Sequence, residues 1–270
     1  MNYVDRLLDD INHDSASYLL THSKVRKAFE EIGYSTIAFD TGIPWANIED
    51  ADSFYVRPPE GEVVGTLDPF EMMFIEGTLG RLYLDYYIGQ VFEEFVPLWT
   101  PFEMKAQRTM MVLDRLPLIP AIEGPKFIHA HIMVPHPPHV FNPDGSINLQ
   151  ADEVDDLVGF PIQLDFLNPQ ILDIVEKIIR DSHPEPIIII QGDHGLANFQ
   201  RTSILNALYL PRGGEDSLYP QISLVNTFRV VFNQYFGTGL PLLQDVSYLH
   251  QEGDLFTYVR QEEWNPACLP

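Results

Sequence analysis

Cysteine, basic residues and long apolar runs are all scarce in this chain. One cysteine, Cys268, occurs in 270 residues. No intramolecular disulfide can form, and cysteine usage carries no information about redox compartment. No His-rich apolar context surrounds Cys268, which argues against a nucleophilic role. Lysine and arginine number 16 against 39 aspartates and glutamates, for a net charge of −23. That balance excludes a broad basic face for nucleic acid. It also repels anionic surfaces and anionic substrates at long range. An anionic substrate would therefore need a local reversal of the field, which a bound divalent cation supplies. No stretch approaches the roughly 20 apolar residues that span a bilayer. The segment Met1 to Asp10 is acidic and lacks the basic and apolar regions of a signal peptide. The expectation is a soluble chain with no export signal. Internal repeats and low-complexity linkers are also lacking, which favours a single domain over residues 1–270.

What is present is organised around Pro186-Ile-Ile-Ile-Ile-Gln-Gly-Asp-His-Gly195. Four β-branched, apolar residues in a row read as a short strand buried on both faces, as in the middle of a parallel sheet. The strand runs into Asp193 and His194 between two glycines. A carboxylate and an imidazole at the carboxyl end of a buried strand stand where open α/β sheets place their chemistry. Their oxygen and nitrogen donors suit a divalent metal such as Zn²⁺ or Mn²⁺. The alternative use of Asp193 is as the cap of a following helix.

A second cluster lies upstream. Lys126 to Val134 reads as a strand and continues into Pro135-His-Pro-Pro-His139. Four histidines fall in eleven residues. His129 and His131 are two apart and would share one side of a strand. His136 and His139 follow in a loop whose prolines limit its conformational freedom. His136 and His131 are the stronger functional candidates; His129 and His139 have ordinary structural uses. Between the clusters, Asp165 to Asp181 has helical spacing. Strand 126–134, helix 165–181 and strand 186–191 then form a right-handed βαβ unit. Its two parallel strands would bring the His136 loop and the Asp193-His194 loop to one sheet edge.

The remaining chain supplies a frame for these motifs. Ser15 to Ile32 is helical by spacing and is stopped by Gly33. Tyr34 to Phe39 is a strand ending at Asp40-Thr41-Gly42, and Ala51 to Val56 is another short strand. Residues 68–84 read as a core helix. Residues 85–103, rich in aromatics, could form an insertion, a lid or a partner surface. Lys105 to Leu116 is a helix, and Asn142 to Gly145 is a turn. Residues 146–160 read as an acidic surface loop. Ile204 to Leu210 is a strand, Asn226 to Phe236 a helix stopped by Gly237, and Asp245 to Trp264 an edge strand. Arg201 sits in a polar stretch after Gly195 and offers charge to a substrate.

A strand running into Pro-His-x-Pro at His136, then a helix, then a buried strand ending in Gly-Asp-His-Gly at Asp193 and His194, resembles the sulfatase-like branch of the alkaline phosphatase superfamily. The resemblance is closest to bacterial membrane-associated members such as lipoteichoic acid synthases and phosphoethanolamine transferases. It covers most of the chain from Lys126 onward and, more weakly, the helix–Gly33–strand unit. It implies an α/β/α sandwich with a mainly parallel sheet, alkaline phosphatase-like, that hydrolyses or transfers phosphate or sulfate esters. It implies a divalent metal, Mn²⁺ or Zn²⁺, on Asp193 and His194. It implies that His136 is catalytic and that His131, His136 and Arg201 bind an anionic ester. The family's nucleophile and first acidic ligand precede the helix matched here by Ser15–Ile32. No Cys-x-Pro-x-Arg signature occurs, and Thr21, Ser35 and Thr41 are available hydroxyls without an assigned role. The expectation is an N-terminally incomplete member without a membrane span of its own, from a membrane-anchored, extracytoplasmic parent group. The competing expectation is a catalytically incomplete domain that binds metal or ligand, or a protein acting through its 85–103 region. A metal-dependent amidohydrolase, prompted by His129-x-His131, needs a barrel for which too little chain follows that motif.

Overall fold

The computed structural model describes residues 18–19, 21–57, 65–66, 98–151, 154–195, 202–251 and 254–261. The expected helix at 68–84, the aromatic stretch at 85–97, Arg201 and Cys268 lie outside the described residues. The chain forms two compact units, one spanning Ala16–Asp181 and one built on Ser182–Pro270. Its architecture is mixed α/β with a small parallel sheet.

In the first unit, the helix expected over Ser15–Ile32 is interrupted: residues 18, 19 and 21 are helical, and α1 (Lys24–Glu31) begins after a break at Ser23. Ser23 adopts an extended conformation and its hydroxyl accepts the Arg26 N–H at 3.2 Å, which sets the helix start there. Gly33 follows the helix with φ of 87°, in the position expected to stop it. Arg26 is buried. Its guanidinium bonds Asp50 at 2.7 and 3.1 Å and Glu30 at 2.6 Å, tying α1 to the segment just before the strand Ser53–Tyr55. Strand β1 (Ser35–Phe39) pairs in parallel with β2 (Ser53–Tyr55) on one side. On its other side lies a later strand, Lys126–His129. Between them in sequence, β3 (Gly65–Thr66) and β4 (Leu98–Trp99) make a separate two-stranded parallel pair.

Helix α2 (Pro101–Arg115) has a capping box in which Thr100 and Glu103 satisfy each other's backbone N–H groups, with Pro101 at the first turn. Those signals begin it before the Lys105 predicted from periodicity. α2 has two buried faces. Met111 and Val112 pack with Ile37, Phe39 and Ile119 on the sheet. Phe102, Ala106 and Leu113 pack with Val134, Phe141, Leu167 and Ile174.

The strand expected at 126–134 pairs only as β5 (Lys126–His129), joined to β1 in the order β2-β1-β5. The chain leaves the sheet after His129, so the period-two argument for His129 and His131 sharing a strand face lapses. The Asn142 to Gly145 turn forms, with Gly145 at φ of 84°. Helix α3 (Asp156–Asp181) is nine residues longer at its start than expected from 165, and passes through Pro161 and Pro169. Asp156 and the residues after it are helical rather than loop, because this end of the helix packs against the His139 segment.

In the second unit, the four-isoleucine run is β6 (Ile188–Gln191), half-buried rather than buried on both faces. It pairs antiparallel with β7 (Asn206–Tyr209), and Gly192 N–H extends the ladder to the Leu205 carbonyl at 2.9 Å. The expected parallel βαβ unit is therefore corrected: β5 and β6 belong to separate sheets. Ile187 and Ile189 pack on Leu210, Val230 and Val231. Helix α4 (Leu224–Phe236) ends at Gly237 in the left-handed region, as expected. The tail forms a hairpin of β8 (Ser247–Gln251) and β9 (Asp254–Gln261) instead of one edge strand.

Candidate anion-binding cleft and Asp-His pair

Strands β1 and β5 are parallel neighbours, so their carboxyl ends open on the same sheet edge. There Asp40, Thr41 and Gly42 follow β1, and residues 130–138 follow β5. Helix α2 packs across them. Together they enclose a cleft of about 230 Å³ lined by Asp40, Thr41, Lys105, Arg108, His131 and His136, among others. Both histidines inferred to bind substrate, His131 and His136, thus line one cavity. His129, the last residue of β5, is exposed and pairs in register with Ala38.

The loop carrying His136 is held from three directions. The Lys105 ammonium donates to the His136 carbonyl and, at 3.0 Å, to that of Pro138. His139 is 2% exposed, with Nε2 at 3.1 Å from Asp156 Oδ1. Its ring lies so close to Gly159 that a Cβ there would meet Cδ2 at 2.1 Å. Gln163, fully buried, accepts the Phe141 N–H at 3.1 Å and donates to the Phe141 carbonyl at 2.6 Å. Phe141 bridges Ile147 on one side, and the side-chain amide takes the backbone groups that point the other way. Among the described residues, His139 Nδ1 is the one buried side-chain polar atom without a partner.

His136 itself is exposed, with Nδ1 at 2.5 Å from the Pro137 carbonyl. A carbonyl only accepts, so that contact places a proton on Nδ1 and leaves Nε2 for a substrate. Arg108 Nε donates to Asp40 Oδ2 at 2.6 Å across the cleft wall. Burial pushes the Lys105 ammonium down to about 8. The three available hydroxyls are committed elsewhere. Thr41 is buried, donates to Asn47 Oδ1 at 2.8 Å and accepts from Ile43 N at 3.0 Å. Thr21 contacts His22 Nδ1 at 2.9 Å, and Ser35 donates to the Pro125 carbonyl at 3.3 Å.

The Asp193-His194 pair belongs to the other unit. Asp193 Oδ1 accepts the His194 N–H at 3.0 Å. His194 Nδ1 is 2.9 Å from the Gly195 carbonyl, which puts the proton on Nδ1 and frees the Nε2 lone pair. Nε2 stands 3.6 Å from Asp193 Oδ2. Two donors at bonds of about 2.1 Å to one cation can be at most about 4.2 Å apart, so the two groups are compatible with a shared metal. The count falls short. A catalytic zinc takes about three protein ligands, and among the described residues no group of three or more His, Cys, Asp or Glu could hold an ion. Asp193 is 84% exposed, and the two side chains alone do not reach that number.

Sequence reasoning named His131, His136, Asp193 and His194 but passed over Lys105, Arg108 and Asp40. Their signals were present. Asp40 ends a strand, and Lys105 and Arg108 stand at i and i+3 of a helix, so they share one face. Nothing in the sequence says that this face meets the ends of β1 and β5. Among the described residues no helix is long and apolar enough to cross a membrane. A scan of protein-family models and searches of curated proteins and of solved structures find no match to this chain.

Proposed function

We propose that the protein is a sulfatase-like hydrolase or transferase of phosphate or sulfate esters, related to the alkaline phosphatase-like α/β/α proteins. The observation that carries this reading is the cleft, where Lys105, Arg108, His131 and His136 meet around a single carboxylate, Asp40. In a chain of net charge −23, such a gathering of cationic and protonatable groups fits an anionic substrate. His136, with Nε2 left open, takes the role of a general acid or base toward the leaving oxygen. His131 and His136 bind the ester oxygens. Asp193 and His194 take a divalent cation, Mn²⁺ or Zn²⁺, which when bound would neutralise oxygen charge.

One observation favours a second reading. The described residues of the cleft offer no uncommitted hydroxyl to act as nucleophile, since Thr41 and Thr109 are both hydrogen-bonded within the protein. A domain that binds an anionic ester or a metal without turning anything over fits that fact. One experiment separates the two. Hydrolysis of p-nitrophenyl phosphate, its bis-ester and p-nitrophenyl sulfate is followed with Mn²⁺ or Zn²⁺, on the wild type and on His136→Ala. The enzyme reading expects metal-stimulated turnover of one ester, reduced about 100-fold or more in the variant. The same rate in both proteins, or no turnover by either, rejects it.

A further inference from the structure

We propose that Lys105 and Arg108 form an anion-holding subsite in the cleft, for the charged oxygens of a phosphate-type or sulfate-type group. The inference rests on the reading of this cleft as an ester site. Both residues line it, one helical turn apart on α2. An ammonium has three donors. Lys105 gives two of them to the carbonyls of His136 and Pro138, which carry no charge. Among the described residues no carboxylate pairs with Lys105. One proton is therefore left for a ligand.

Arg108 commits Nε to Asp40 and no terminal nitrogen to any acceptor among the described residues. Its guanidinium lies over Gly42, where a Cβ would come within 2.9 Å of Nη1. Gly42 also has φ of +77°, so both backbone and space there require glycine. The charge balance is simple: two fixed cations face one carboxylate, Asp40, with His131 and His136 as the other titratable groups at the cleft. A half-buried cation without a counter-charge is costly, and an incoming anion offsets that cost. The same ammonium holds the His136 carbonyl, so anion docking and the placement of His136 depend on one group. Lys105 is thus a positioning residue for His136 as well as a ligand contact.

The test is calorimetric titration of the full chain with inorganic phosphate and with sulfate, from about pH 7 to about pH 10. It compares the wild type, Lys105→Met, Lys105→Arg and Arg108→Gln, with melting curves for each. Sulfate does not titrate in this range, so its pH profile reports the protein. Expected is a loss of affinity of about tenfold or more in Lys105→Met and in Arg108→Gln, and a loss within about threefold in Lys105→Arg. Wild-type affinity for sulfate should fall as the pH rises through about 8, where Lys105 loses its proton, and that of Lys105→Arg should not. Affinities of the Met and Gln variants within about twofold of the wild type, or no binding of either anion, overturn the subsite. If Lys105→Met does not fold, the profiles of wild type and Lys105→Arg decide, and a flat wild-type profile overturns it. Ester hydrolysis run in parallel separates this inference from its foundation. Lys105-dependent anion binding without turnover removes the ester reading alone, and turnover indifferent to both variants removes the subsite alone.

Discussion

The two units solve the same problem with the same device and put it to different use. Each contains a segment outside the named strands, and each clamps that segment with a fully buried amide side chain. In the unit of residues 16–181, Gln163 takes both backbone groups of Phe141. In the unit of residues 182–270, Asn226 donates to the Leu243 carbonyl at 2.8 Å and accepts the Leu243 N–H at 2.9 Å. The clamped segment in the first unit is the one that carries His136 toward the cleft. In the second it is the chain after α4, and the Asp193-His194 loop is held mainly by bonds among its own neighbouring residues. The difference teaches that the cleft is organised before any ligand arrives. The Asp-His pair, with Asp193 84% exposed, has no comparable clamp among the described residues.

The largest effect should come from removing the first clamp. Gln163→Leu leaves a buried N–H and a buried carbonyl unpaired at Phe141 and should cost about 3 kcal/mol in urea unfolding. It should also weaken any anion binding at the cleft, because the His136 loop loses one anchor. Unchanged stability would break the comparison at once. Asn226→Ala should cost about 2 kcal/mol, since the bonds it removes lie closer to solvent. It should leave anion binding at the cleft unchanged, which sharpens the contrast between the two clamps.

Gly159→Ala comes next. A methyl group there overlaps the buried His139 ring, at a cost of about 1–3 kcal/mol, partly offset by about 1 kcal/mol of helix propensity. A net loss in thermal melting of the Ala variant checks it, and a gain would mean that His139 is free to move. The Asp-His pair predicts an opposite pattern. Asp193→Ala/His194→Ala should change metal-free stability by less than about 0.5 kcal/mol, as surface substitutions do. It should abolish stabilisation by Zn²⁺ or Mn²⁺, worth about 2.7 kcal/mol when the free metal is 100 times its Kd.

The smallest effect concerns acid. Burial opposes ionisation of Asp245, but hydrogen bonds from Ser223, Tyr219 and Asn226 outweigh it and hold the carboxyl below its ordinary value. A lowered folded-state pKa gives stability that is present above the unfolded value of about 3.9 and is lost as the pH falls through the folded one. Asp245→Asn should therefore flatten the acid limb of the stability profile below about pH 5, by a small amount because the group is exposed.

Much of the local structure was legible in the sequence. Gly33 and Gly237 end the helices they were expected to end, because a residue in the left-handed region closes a helix and glycine reaches it at no steric cost. Strands at Ser35–Phe39, Ser53–Tyr55, Ile188–Gln191 and Asn206–Tyr209 lie where β-branched and aromatic runs put them. The helix starts were less legible. Side-chain caps at Ser23 and Thr100, and burial against His139, moved them away from what apolar spacing alone indicates.

For the site, the sequence by itself determined that His136 follows one strand and that Asp193 and His194 follow another. Such placements depend on residues within a few positions of each other, where propensity, turn chemistry and caps act. Only the tertiary structure decided which strands pair. It gave β6 an antiparallel neighbour where an apolar run suggested parallel ones, because an unbroken run of isoleucines suits either ladder. It decided as well that His139 is buried while His136 is exposed, three residues apart in one proline-rich loop. It brought Lys105 and Arg108 to the ends of β1 and β5. Pairing, burial and the meeting of a helix face with a sheet edge are set by contacts between residues tens of positions apart, and no local pattern encodes them.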